Sequence, residues 1–529
     1  IQALVTDNHF VPSALVTNSD GLELKAYIAE KGDEATVEIT AGETERQKGN
    51  KMADFSSRGP VGTPASPDII KPDVTAPGVN ILAGNTPTPS LSAPGQLFQS
   101  ISGTSMSGPH VAGIFALLKQ AHPEWSPAVA KSALMTTARQ DVRKEDGRTK
   151  ADPFDFGAGH VDPSGEASSA GSIFNPGLAY EAGLLEYVGF TCGANAEIFT
   201  PGSCDFVEGE GIPLETYNLN YPSIGVSEVP GAKTVIRTVT NVSDEAGTYR
   251  AEVNEPLGYD IDVSPNRIQL APGESVTFEI SIVNESAPVG EWRFGSLTWE
   301  SGHNRVRSPI AVKAAAIEFP GSVSGTGASG TTSIPVAFGY TGAYTANAHG
   351  MAPNVPILGS VDQDPDNSNW SPDEVEGTRA HAIPVDNAAH LRVVLTADDI
   401  TPSEGVDIDL FLFNSAGEEV ARSTSGGTDE LIDVTLPPSD TYTLYVNGWQ
   451  TTFLPGEGEV DYSLSVWTVP LTTGGSLAIN AAPPSATQGT VGTVEVGWTG
   501  LTTPGSYLGA VSHSDASGIL GLTLVEVDS

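Results

Sequence analysis

Thirteen residues, Ile101-Ser-Gly-Thr-Ser-Met-Ser-Gly-Pro-His-Val-Ala-Gly113, do most to limit what this chain can fold into, because they run a sharp turn straight into an apolar helix. Gly103 lets the backbone turn tightly. Ser105 stands where an N-cap belongs, and Pro109 is expected in the first turn, where its missing N–H costs little. Val111, Ala112, Ile114, Phe115, Leu117 and Leu118 leave almost no polar face, so the spacing predicts a buried helix. A hydroxyl at that helix end lies beside free N–H donors and the positive end of the dipole, a setting suited to a developing oxyanion. For an isolated Gly-Thr-Ser a simple helix cap is the leading reading.

The wider context favours chemistry. Three further motifs accompany the serine: Met52-Ala-Asp-Phe-Ser-Ser-Arg-Gly-Pro60, Lys71-Pro-Asp-Val-Thr-Ala-Pro-Gly-Val-Asn-Ile81 and Trp125-Ser-Pro-Ala-Val-Ala-Lys-Ser-Ala-Leu-Met-Thr-Thr-Ala138. In this order and spacing the four resemble the subtilisin-like serine proteases, or subtilases. The resemblance implies that Ser105 is the nucleophile and that Thr104 helps shape the oxyanion hole. It also implies the fold class, α/β, as the second half of a subtilisin-like parallel-sheet catalytic domain followed by all-β sandwich domains.

A serine needs a base to take its proton and a third group to orient that base. The family's Asp-Ser/Thr-Gly and His-Gly-Thr-His patterns do not occur before Ser105, where the only histidine is His9. The oxyanion asparagine is also expected upstream of residue 1. His110 resembles the motif's structural histidine and is read as core packing. His160 follows the nucleophile, the wrong order for the family, and is read as structural. The chain is therefore expected to be the C-terminal portion of a protease, weak or inactive by itself, whose partners are the missing N-terminal catalytic half and polypeptide substrates. Sedolisins, which also use a Gly-Thr-Ser serine, and a non-enzymatic adhesion protein with a relic protease segment are the alternatives. The Met-Ser-Gly-Pro-His-Val-Ala-Gly continuation speaks for subtilisin over sedolisin.

Residues 1–34 resemble the tail of a protease-associated insert, with Phe10–Val16 as a strand and Asp20–Ile28 as a short amphipathic helix. Residues 35–215 would complete the catalytic half, with a strand at Ala35–Ile39 and a helix opened by Ser126-Pro127. From there on, short alternating runs separated by Gly and Pro read as strands. Thr234–Thr240, Thr248–Val253, Ser275–Ile282 and Val306–Val312 place a sandwich at 216–315 that resembles a fibronectin-III-like domain. Residues 316–380 read as a linker and β segment, ending in an acidic run from Asp362 expected to be a solvated loop. Residues 381–469 resemble the bacterial prepeptidase C-terminal domain, some members of which bind calcium. Asp407 and Asp409 fall on one side of a strand there but supply only part of a calcium shell. Residues 470–529 add a last β segment, and Gly492–Gly500 echoes Thr332–Gly342, as two strands of one discontinuous sandwich would.

Lys and Arg total 25 against 65 Asp and Glu, a formal charge of −40, which repels nucleic acid and anionic membranes. No apolar run is long enough to span a membrane. Cys192 and Cys204 are read as a disulfide, consistent with a secreted protein. No Cys/His cluster has zinc spacing, and no cofactor is anticipated, calcium being the one candidate weighed.

Overall fold

Two units, Ile1–Ala315 and Ala316–Ser529, make up the computed structural model. It describes residues 12–529 apart from 41–48, 62–67, 87, 89–96, 165–170, 196–197, 200–201, 303, 366–369, 373–375, 402–404 and 452–457. Among the described residues no helix is long and apolar enough to cross a membrane.

The first unit begins with α1 (Asn18–Lys31), capped by the Thr17 hydroxyl, which accepts from the Asp20 amide at 3.2 Å. The helix runs longer than the expected Asp20–Ile28, and none of its residues is buried. The strand anticipated at Ala35–Ile39 does not form, and the run pairs with no strand among the described residues. Of the strand anticipated at Phe10–Val16, residues 10 and 11 lie outside the described residues and the rest is irregular. Two short strands, β1 (Ile81–Gly84) and β2 (Phe98–Ile101), pair antiparallel, Ile81 opposite Ile101. They lead into α2 (Thr104–Ala121) and α3 (Pro127–Thr136), whose Ser126 hydroxyl accepts from Val129 N at 3.2 Å with proline at the first turn. A one-turn helix, α4 (Pro153–Phe156), and the strand β3 (Leu178–Ala179) follow.

Next come α5 (Leu184–Ala194) and α6 (Ser203–Gly209), joined by a disulfide between Cys192 and Cys204, whose Cα atoms are 5.7 Å apart. The bridge closes a loop of sequence separation 12. By chain entropy it restricts the unfolded state by about 3 kcal/mol. Reduction with a phosphine is therefore expected to lower the urea midpoint of this unit, and Cys192→Ser to lower it equally with no further response to reductant.

The sandwich comprises β4 (Ile224–Val229), β5 (Ala232–Asn241), β6 (Gly247–Asn254), β7 (Tyr259–Ser264), β8 (Arg267–Leu270), β9 (Ser275–Asn284), β10 (Trp292–Glu300) and β11 (Arg305–Ala314). One sheet has the order β4-β11-β10-β6-β8 and the other β3-β5-β9-β7. All four alternating runs singled out from the sequence are strands. Their inward positions meet over a core in which Trp299 is fully buried and packs edge-on against Phe278 at 5.1 Å.

In the second unit the stretch expected as a linker at 316–380 is largely strand. One sheet runs Ile317–Glu318, Gly330–Phe338, Val491–Trp498, Leu477–Ala481, and its partner Ser322–Thr326, Gly518–Asp528, Ser506–Asp515, Thr345–Pro353. The two echoing segments are antiparallel neighbours, Gly330 opposite Trp498 and Ala337 opposite Val491. Glycines that resemble linker composition are instead seats for a ring, because a Cβ at Gly325 or Gly330 would lie 2.2 or 2.3 Å from Trp498. The chain thus divides differently from the linear series 316–380, 381–469, 470–529. One sandwich is built from both flanks, and a second, spanning Ile357–Pro470, is inserted into it. The inserted sandwich begins at the strand Ile357–Val361, ahead of the expected boundary at 381. Asp364, in the acidic run expected to be solvated, is buried and accepts from Asn447 Nδ2 at 3.0 Å.

Two buried titratable groups give these sandwiches opposite responses to acid. His513 of the outer sandwich is fully buried, hydrogen-bonded to Tyr344 Oη at 2.7 Å and Thr523 Oγ1 at 3.0 Å, and burial pushes its pKa down to about 4. Its folded value lies below the unfolded ~6.5. Its contribution is therefore complete above pH ~6.5 and is lost as pH falls towards 4, by about 3 kcal/mol at most. Asp409 of the inserted sandwich is raised to about 7, first by burial and then by the charges of Asp407 and Glu430. Its contribution is present below ~4 and lost as pH rises through 7. Asp409→Asn is expected to stabilise the inserted sandwich by roughly 2 kcal/mol at pH 8 and not at all near pH 4. Hydrogen exchange of each sandwich's strands at both pH values measures this.

Candidate functional site

Ser105 is the second residue of α2, and its side chain is exposed. The N-cap position belongs to Gly103, two residues before the serine expected there, so Ser105 is carried on the first turn itself. The turn is fixed from the side. Gly103 N donates to Gly78 O at 2.8 Å, and Asn80 N donates to Ser102 Oγ at 2.8 Å. Gly78 has no room for a side chain, since a Cβ would fall 2.3 Å from Ser107 Oγ and 2.9 Å from Gly103 O. The Ala-Pro-Gly of the second motif is thus the seat on which the serine turn rests.

Pro109 is the sixth helical residue, beyond the first turn anticipated for it. Its absent N–H is the one that Ser105 C=O would otherwise accept, which loosens the helix where the serine sits. The first-turn N–H groups, including those of Thr104 and Ser105, have no intrahelical acceptor. They sit at the positive end of an 18-residue helix. A tetrahedral oxyanion placed there would meet preformed donors.

The inner side of α2 is apolar and packed. Ile114 and Leu118 are buried against Ala130 and Leu134 of α3 and against Val161 and Ile173. The expectation of a fully buried helix fails for its other side, where Gly108, Ala112, Ala116 and Leu117 are exposed. Leu82 and Phe98 on the β1–β2 pair stand 71% and 64% exposed. His110 is likewise on the surface, not in the core, and its Nδ1 lies 2.9 Å from Met106 O one turn back.

The other motifs build scaffold. Arg58 of the first clamps its own loop onto α4, bonding Asp155, Glu145 and the carbonyls of Ala53 at 3.2 Å and Ser56 at 3.1 Å. Asp73 of the second accepts from Lys71 at 2.9 Å and from Tyr221 Oη at 2.5 Å, with Lys131 at 3.2 Å. Burial opposes the Asp73 charge, but Lys131 and Lys71 outweigh it and hold the carboxyl below its ordinary value. Tyr221 is pushed up, first by the same burial and then by Asp73.

Among the described residues Ser105 Oγ has no hydrogen-bond partner, and each described histidine is engaged elsewhere. His122 stacks on Trp125 at 3.8 Å and reaches Phe174 O. His160 bonds Val161 O. His349 bonds Ser512, His381 bonds Tyr462 and His390 bonds Asp433. His9 lies outside the described residues. At the pair weighed for calcium, Asp407 accepts from Gly427 N at 3.0 Å, and Glu430 joins Asp409 in the interior. Among the described residues no three His, Cys, Asp or Glu are grouped so as to hold a metal, and no role is derived for calcium.

Residues 18–159 match the model of the subtilase family, and residues 218–312 match a fibronectin type-III domain. The chain is 38% identical over 327 residues to the subtilisin-like protease SBT5.3 of Arabidopsis thaliana, covering 59% of this chain and 41% of that protein. It is also 38% identical over 323 residues to the CO(2)-response secreted protease of the same plant, covering 57% and 41%. A third match is the subtilisin-like serine-protease S of Lotus japonicus, 38% identical over 315 residues and covering 57% and 40%. The chain thus spans about two-fifths of the length of these curated relatives.

Proposed function

We propose that the chain is the nucleophile-bearing portion of a secreted serine endopeptidase, with Ser105 as the attacking residue and its base carried by polypeptide outside these residues. The observation that supports this reading is an exposed, unpartnered hydroxyl on the first turn of α2, braced by the Gly78–Gly103 bond. Ser105 Oγ adds to the peptide carbonyl carbon while an imidazole takes its proton. The carbonyl electrons move to oxygen, where the Ser105 N–H and a second donor receive the charge. Thr104 shapes the same pocket. Collapse expels the amine, which takes the proton back from the imidazole, and water then cleaves the acyl ester by the same two steps.

The open apolar side of α2 and the exposed Leu82 and Phe98 agree with a further layer of the catalytic domain covering this face. The name of one plant relative, the CO(2)-response secreted protease, and the disulfide agree with secretion. Casein hydrolysis tests the reading. The 529-residue chain alone is expected to release no more peptide than its Ser105→Ala variant, and the product of the gene extended upstream is expected to release far more. An upstream-extended, folded protein that is inert with Ser105 intact would defeat the assignment.

A further inference from the structure

A cleft of about 590 Å³ lies between the end of α3 with the residues that follow it and one face of the β6–β10–β11 sheet, and no residue of the serine turn lines it. Thr136, Arg139 and Gln140 form one wall. Ser296, Thr298, Arg305 and Arg307 form the other. The sheet residues arrive together because alternate positions share a face. Thr298 stands opposite Arg307 on one side and Glu252 on the other.

Three arginines, Arg139, Arg305 and Arg307, line the cleft against two carboxylates, Asp141 and Glu252. Arg307 is half-buried and makes no hydrogen bond or ion pair among the described residues, and its Nη1 is sealed without a partner. Arg139 Nε is also buried without a hydrogen bond, although its Nη2 donates to Asn50 at 3.1 Å. Ser296 and Thr298 are 8% and 7% exposed, and their hydroxyls bond nothing among the described residues. Glu252 and Asp141 are exposed, Asp141 at 3.5 Å from Arg139 Nε, and neither forms an ion pair with Arg307. Arg305 is occupied by Glu300 at 2.7 Å. Burial lowers the Arg307 pKa to about 10, and the like charge of Arg305 adds to it, yet the group remains a cation at neutral pH.

A desolvated guanidinium without a counter-charge is costly. It is stranger still in a chain of formal charge −40, which has 65 acidic side chains with which to pair it. A guanidinium fork matches carboxylate and phosphate oxygens two at a time. The volume lies in the range of small-molecule sites. We propose that this cleft binds a small oxyanion ligand, a polycarboxylate or a phosphate monoester, with Arg307 as its principal contact and Arg139, Ser296 and Thr298 completing the shell.

Citrate and inorganic phosphate are the probes, titrated calorimetrically into the 529-residue protein at constant ionic strength set with sodium chloride. At least one is expected to bind saturably at one site with a Kd below about 1 mM. Arg307→Gln is expected to weaken it at least tenfold, while Arg422→Gln, an arginine of the second unit that does not line the cleft, leaves it unchanged. Preference for citrate assigns a carboxylate ligand, and preference for phosphate a phosphate ester. Without ligand, Arg307→Gln is expected to melt no lower than the parent, because it removes an unpaired charge. Should it fail to fold, Arg139→Gln carries the same binding test. No saturable binding of either anion, or equal binding by the arginine variants and the parent, overturns the proposal.

Discussion

Replacing Ser105 by alanine is expected to cut kcat by about 10⁶-fold in a protein that also supplies the base, as removal of the nucleophile does in subtilisin. Folding should not change. The hydroxyl is exposed and bonds nothing described, and such surface positions are worth under about 0.5 kcal/mol. Alanine is also a better helix residue than serine. The variant should therefore keep the parent's melting temperature and substrate KM while losing turnover. If the helix merely used Ser105 structurally, stability would fall and kcat would stay. Thr104→Ala, one residue earlier, is expected to cost far less in kcat, because the backbone donor at Ser105 is retained.

Arg237→Met is the largest expected loss of stability, about 4 kcal/mol by urea denaturation of the first unit. Inward positions of β5 alternate as Val235, Arg237, Val239, so the arginine is placed in the sandwich interior, 2% exposed. Burial lowers its pKa to about 10, opposed by Tyr180 and Asp68, and it stays charged at neutral pH. Its guanidinium bonds four carbonyls: Tyr221 and Ser223 at 3.2 and 3.3 Å, and Tyr217 and Ile236 at 2.8 and 2.9 Å. Three of them lie on the segment that carries the chain from the helices into the sandwich. Methionine fills the space but leaves those carbonyls dry and unpaired, at 1–3 kcal/mol each before relaxation. Arg237→Lys is expected to recover only part of the loss, since one ammonium cannot span the fork. An unchanged midpoint for Arg237→Met would show that the crossing segment is held by something else.

What could be read from the sequence was local. The serine turn, the Ser126-Pro127 helix start and the alternating strands each follow from a few adjacent residues, and each is present. Arg237 could have been found the same way, as a charge on the inward phase of an alternating run. What could not be read depended on distant partners. The run Ala35–Ile39 has strand composition, but a strand exists only when another pairs with it. Glycines 325 and 330 imitate a linker until Trp498 arrives from 168 residues or more away to fill their space. Nothing in its own motif gives Arg58 a role, and only the fold shows that it ties a loop to α4. The half-open state of α2 is invisible in its own composition, because an apolar face reads the same whether or not its cover is present.

The most direct test uses a biotinylated fluorophosphonate, which reacts with a serine only when a base activates it. The 529-residue chain alone is predicted to stay unlabelled, whereas the upstream-extended protein is predicted to take up one equivalent on Ser105, located by mass spectrometry of the modified peptide. An adduct on any other serine of the active protein, or equally fast labelling of the chain by itself, would contradict the account.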